Sequence, residues 1–137
     1  MKAIFRCNSD PKIGYGHLRR CITVAKYLYK NSCNCILVGP SAEFLKYSER
    51  EIFMDIIPKN DWVDSMSDAM HFVSIAHSYK VDWAILDDYR IDEIYQLAVK
   101  SGNFKTLLFE TNSESSIWAD IVVNATPMLN KIIYKNI

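Results

Sequence analysis

The 137 residues are enough for one compact core and too few for two full domains. Half are hydrophobic and 23% are charged, so the chain buries enough apolar surface to offset its conformational entropy, which excludes disorder. Sixteen Lys and Arg balance sixteen Asp and Glu, leaving no overall field to draw the chain to nucleic acid or an anionic membrane. Each apolar segment meets a charge well short of the ~20 residues of a bilayer span, so no transmembrane segment is expected. The first ten residues lack the apolar stretch of a secretory signal, and a cytoplasmic location is expected.

Lys2 to Cys7 reads as a strand. It runs into a polar loop, Asn8 to His17, that carries Pro11, Gly14 and Gly16. From Leu18, apolar residues at Cys21, Ile22, Ala25, Leu28 and Tyr29 recur at spacings of three and four, the stripe of a first helix. Cys35 to Gly39 is an unbroken apolar run, as expected of a strand buried on both faces of a parallel sheet. Ser41 is placed to cap a short helix through Ser48, and Ile52 to Ile57 predicts a third strand stopped by Pro58. Asp61 is placed to cap a longer helix with Trp62, Met66, Ala69, Met70, Val73 and Ala76 inward, ending near Tyr79. Trp83 to Leu86 predicts a fourth strand that closes in Asp87 and Asp88. Asp92 then caps a helix with Ile94, Leu97 and Ala98 inward and Gly102 at its end. Phe104 to Phe109 and Ile121 to Val123 complete the strands, with Trp118 in the loop between.

This alternation predicts a doubly wound α/β fold with a mainly parallel sheet flanked by helices, because parallel neighbours need helical crossovers. Residues 1–126 form the expected domain. Residues 127–137 are a tail with an apolar side from Leu129, Ile132, Ile133 and Tyr134, either docking on this core or beginning a further domain. The four cysteines, Cys7, Cys21, Cys33 and Cys35, lack zinc-site spacing and read as reduced, packed thiols.

In such sheets ligands bind beyond the carboxyl ends of the strands, and three polar loops lie there. In the first, Gly14 and Gly16 permit close approach of the backbone to a phosphate or sugar, although neither common nucleotide motif is present. His17 follows at the helix start, where a neutral imidazole suits a general base; the alternative is a residue that only caps or packs the helix end. In the second loop Asp87 and Asp88 should point to opposite sides of the strand, so both cannot face one ligand. Either this loop merely leads into a helix capped by Asp92, or one acid and Tyr89 contact a sugar. The third, Glu110-Thr111-Asn112, reads as a solvated loop. His71 and His77 fall within a helix with no partner spacing and are expected at the surface or in packing, so no metal site is expected.

The segments Phe5-Arg6-x-x-Ser9, Ile13-Gly14-Tyr15-Gly16-His17-x-x-Arg20 and Ala25-x-x-Leu28 together resemble the N-terminal half of the UDP-sugar hydrolases of the pseudaminic-acid pathway and the related spore-coat polysaccharide proteins. The likeness continues through Asp87-x-Tyr89-x-Ile91-Asp92 and Ala119 to Asn124, covering nearly the whole chain in order. That family is similar to B-type glycosyltransferases, and the resemblance implies a Rossmann-like N-terminal domain of that kind. It also implies metal-independent, cofactor-free release of UDP from a 2,4-diacetamido-2,4,6-trideoxyhexose by attack of water at the anomeric carbon. His17 would be catalytic, Gly14, Tyr15 and Gly16 would line the sugar and diphosphate, and Arg20, Asp87 and Tyr89 would bind substrate. This sequence departs from the family's usual pattern in having Asn8 after the first strand and Glu110-Thr111-Asn112 after the fifth. Relatives hold uridine on a C-terminal α/β domain, so a further domain or partner chain is expected to supply most nucleotide affinity. A different expectation is a non-catalytic partner subunit of a split B-type glycosyltransferase; a third is a remnant that only folds.

Overall fold

A computed structural model of the chain describes residues 1–8, 16–110 and 116–124. In chain order the elements are β1 (Lys2–Cys7), α1 (Gly16–Lys30), β2 (Asn34–Gly39), α2 (Tyr47–Arg50), β3 (Phe53–Pro58) and α3 (Ser65–Tyr79). They continue with β4 (Trp83–Asp87), α4 (Glu93–Lys100), β5 (Lys105–Glu110) and β6 (Ile121–Asn124). All six strands are parallel in one sheet of order β3-β2-β1-β4-β5-β6, a doubly wound Rossmann-like arrangement. The strand order reverses between β1 and β4, so the crevice for a ligand lies beyond their carboxyl ends. Among the described residues, no helix is long and apolar enough to cross a membrane.

The unbroken apolar runs form the central strands because both of their faces are covered. On one face Ala3, Phe5, Leu37 and Ile85 pack with Leu18, Cys21, Ile22 and Ala25 of α1. On the other, Ile4, Ile36, Ala84 and Leu86 pack with Phe72 and Ala76 of α3 and Val99 of α4. Gly39 closes β2 against the end of β1 with φ 131°, and a Cβ there would lie 2.1 Å from the Cys7 carbonyl oxygen. Only glycine accepts both the conformation and the approach.

Three expectations are corrected. Ser41 makes no capping hydrogen bond, and its segment is a 3-10 turn at Ala42–Phe44 followed by the separate α2. The break lets Leu45 enter the core and lets Glu49, buried, accept the Lys46 N–H and pair with Arg19 of α1. The long helix starts later than Asp61: Asp64 is its cap, accepting from the Ser67 N–H at 2.7 Å. Trp62 stays outside because its ring stacks on Tyr95 at 5.2 Å, with the guanidinium of Arg90 at 4.3 Å. Finally, Met66, Met70, Ile94 and Leu97 are exposed, while Asp68, Tyr95 and Gln96 turn inward.

One polar centre rotates both helices. Arg6, fully buried on β1, grips Asp68 of α3 through two bonds of 2.9 Å, and the Tyr95 hydroxyl of α4 donates to the same carboxylate at 2.8 Å. Lys59 adds an ion pair at 3.5 Å. Gln96 turns inward for the Ser116 carbonyl and the Trp118 N–H. Burial pushes the Asp68 carboxyl up, but the hydrogen bonds and charge of Arg6, helped by Tyr95 and Lys59, outweigh it and hold it below the usual carboxylate range. The stabilisation from Asp68 is therefore complete above the unfolded value of about 3.9 and is lost as pH falls through the lower folded value. Urea unfolding at stepped pH should show wild-type stability falling more steeply below about pH 4 than that of Asp68→Asn; parallel slopes would remove Asp68 from the account.

Candidate functional site

Asp87 is the last residue of β4, and its alternation with Trp83 and Ile85 turns its side chain to the α1 face of the sheet. Asp88 turns away, and its carboxylate accepts three bonds from Arg90, from the backbone N–H and Nε at 3.0 Å each and from an Nη at 2.8 Å. The pleat thus separates the adjacent acids. Asp87 is fully buried at the end of a central strand, an expensive position for a charge unless partners surround it.

The partners come from the first turn and a half of α1. Gly16 opens this helix, and the space where its Cβ would stand is empty to 4 Å. His17 Nδ1 lies 2.5 Å from Asp87 Oδ1, while Arg20 bonds the same carboxylate through Nε at 2.9 Å and an Nη at 2.6 Å. Residues three apart on a helix share a face, so one carboxylate receives both side chains. The Arg20 guanidinium also stands 5.2 Å from the Phe109 ring. The Asp87 hydrogen bond leads in holding Arg20 firmly protonated, against the cost of its partial burial.

This geometry fixes the imidazole. A carboxylate only accepts, so the 2.5 Å contact requires the proton on Nδ1. Nδ1 then has no lone pair for Arg20, and the 3.3 Å approach between them is a contact without a hydrogen bond. Nε2 of the neutral ring is left as an acceptor. The His17 side chain is mostly buried, at 12% exposure, while that of Arg20 reaches 30%. A base oriented by a buried acid is the arrangement that accepts a proton from water or a hydroxyl and offsets the charge the ring acquires.

Of the residues expected at a site, the structure therefore brings together His17, Arg20 and Asp87. Both Asp87 oxygens are engaged by the chain's own side chains, Oδ1 by His17 and an Nη of Arg20 and Oδ2 by Nε of Arg20. Tyr89 is half-exposed, with its ring 5.5 Å from the Arg90 guanidinium. Gly14 and Tyr15 lie outside the described residues, as do Thr111 and Asn112. Below the cluster, Cys7 and Cys21 are buried free thiols; contact with Cys7, then burial, pushes Cys21 well up. Burial likewise pushes Cys35 up to about 12, so these thiols are packing groups. His71 is exposed and His77 packs on Phe104 with ring centroids 6.0 Å apart. Among the described residues no group of three or more His, Cys, Asp or Glu is arranged to hold a metal ion. The pairing of Arg20 with Asp87 was the part least visible beforehand; its only signal was the three-residue spacing from His17.

No family model matches this chain. It is similar to the uncharacterized protein MJ1062 of Methanocaldococcus jannaschii, at 28% identity over 126 residues. That match takes in 91% of this chain and spans about a quarter of the relative's length (25%).

Removing Arg20 leaves the buried Asp87 carboxylate short of a charge partner. Arg20→Ala should cost about 3–5 kcal/mol in urea unfolding. The double variant Arg20→Ala/Asp87→Ala should cost clearly less than the sum of the two single losses. Simple additivity would show that the pair is not coupled.

Proposed function

We propose that this chain is the catalytic-histidine, sugar-side domain of a metal-independent UDP-sugar hydrolase acting on a UDP-2,4-diacetamido-2,4,6-trideoxyhexose in nonulosonic-acid or surface-polysaccharide synthesis. The observation that carries the reading is the His17 ring held by buried Asp87, with no bond to Nε2 among the described residues, at the carboxyl edge of the sheet. It joins the likeness of the Gly-x-Gly-His-x-x-Arg loop and the Asp87-x-Tyr89 segment to that family.

In this mechanism Nε2 of His17 takes a proton from water as its oxygen bonds to the anomeric carbon. The bond from that carbon to the diphosphate oxygen breaks, and its electron pair leaves with UDP. Asp87 keeps the ring in the required tautomer and offsets the positive charge it gains, while Arg20 holds Asp87 in place. Gly14, Tyr15 and Gly16 are assigned to the sugar and diphosphate, and Tyr89 to the sugar ring, on the family likeness. A C-terminal domain or partner chain supplies most of the uridine affinity. Such an enzyme works in the cytoplasm, alongside its substrate.

The test is UDP release from the UDP-sugar by this chain combined with a separately supplied C-terminal nucleotide-binding domain. His17→Ala should lower the rate by about 10²–10⁴-fold, the usual contribution of a general base. Equal rates for the two proteins would overturn the mechanism and favour the non-catalytic subunit of a split B-type glycosyltransferase, which has no use for a base at this position.

A further inference from the structure

The two edges of the sheet are built differently. β3, at one edge, carries Asp55 near its middle and Pro58 at its end, and its pairing with β2 slips in register between Cys35 and Ile36. A charge, a proline and a bulge are the devices that keep an edge strand from pairing. β6, at the other edge, is Ile-Val-Val-Asn and has none of them. Ile121 lies in the row of Ile85 and Leu107 on the α1 face and is 44% exposed, and Val123 on the same face is 37% exposed. Among the described residues no strand lies beyond β6.

The register decides which backbone groups this edge presents. Successive residues of a parallel strand turn their N–H and C=O alternately to the two neighbours. The Lys105 N–H bonds the Asp82 carbonyl just before β4, so Lys105 and Leu107 face β4 while Thr106 and Leu108 face β6. Leu108 stands opposite Val122, so its bonds go to Ile121 and Val123, and Val122 turns its N–H and C=O outward.

We propose that β6 pairs antiparallel with β6 of a second copy of this chain, about a twofold axis through Val122 and normal to the sheet, joining the two sheets edge to edge. Such an axis keeps each face on its own side, so the pairing that lies within the strand sets Val122 against its own counterpart and Ile121 against Val123 of the second copy. The outward groups of Val122 then exchange hydrogen bonds with their counterparts, and Ile121 and Val123 form close pairs of β-branched side chains. One step further along, Asp120 meets Asn124 of the second copy, so no like charges face each other. The apolar row Leu37, Phe5, Ile85, Leu107, Ile121 runs on without a break into Val123 and Phe109 of the second copy. An unrelated strand would meet the same outward groups without this self-matching sequence. β6 stands two strands from β4, so the contact asks nothing of the reaction proposed above.

The test is sedimentation equilibrium of the full chain over a range of concentrations, with circular dichroism melts to show that each variant folds. A monomer–dimer equilibrium is expected. Ile121→Lys should weaken it about tenfold, and Val123→Glu likewise, since the axis repeats each lost pair. The double variant Ile121→Lys/Val123→Glu should recover the affinity, because each introduced lysine meets an introduced glutamate across the axis. A wild-type chain that stays monomeric up to about 1 mM would overturn the assignment. So would a dimer indifferent to Ile121→Lys, or a double variant as weak as the single ones.

Discussion

A carboxylate with no solvent exposure, set at the tip of a central strand, is the constraint on which this site depends. Withdrawing Asp87 from water costs several kcal/mol, and only close, well-aligned partners offset that. Arg20 supplies charge through two donors, and His17 supplies a third hydrogen bond on the same oxygen that receives the Arg20 Nη. The start of α1 is thereby anchored to the end of β4, and the Asn8 N–H bonds the Asp87 carbonyl at 3.3 Å, tying in the end of β1. One side chain thus fixes both the mouth of the crevice and the orientation of the ring within it.

A second buried acid occupies the opposite face with a different outcome. Asp68 is also gripped by an arginine, but Arg6 is itself fully buried, and Tyr95, Lys59 and Trp62 close the remaining sides. No titratable group in contact with Asp68 is left as open to solvent as Arg20 is beside Asp87. That centre locks α3 and α4 to β1, whereas the Asp87 centre keeps a partly accessible ring and guanidinium. The same kind of ion pair therefore serves packing on one face of the sheet and presents a proton acceptor on the other.

The architecture was legible because its signals are local and strong. Apolar runs such as Cys35 to Gly39 have few alternatives to a buried strand, and Asp92 stands where a capping acid must. What misled was the assumption that an apolar residue at helical spacing faces inward. Met66, Met70, Ile94 and Leu97 fit that spacing but lie outside, because Arg6 draws Asp68 in and Asp68 in turn draws Tyr95. No window along the chain reveals a preference set 62 residues away. At the site, the divergence of Asp87 and Asp88 followed from the pleat alone, and His17 from its glycine-flanked helix start. The three-way contact did not, since it depends on bringing the end of β4 beside the first turns of α1, across 67 to 70 residues of sequence.

Asp87 selects the tautomer of His17, which makes Nε2 the acceptor nitrogen of the ring. A long-range proton–nitrogen correlation spectrum of the labelled chain reads this directly. It should show the neutral His17 ring protonated at Nδ1, with Nε2 resonating as an unprotonated nitrogen, and Asp87→Ala should abolish that preference. A ring carrying its proton on Nε2 in the intact protein would contradict the account.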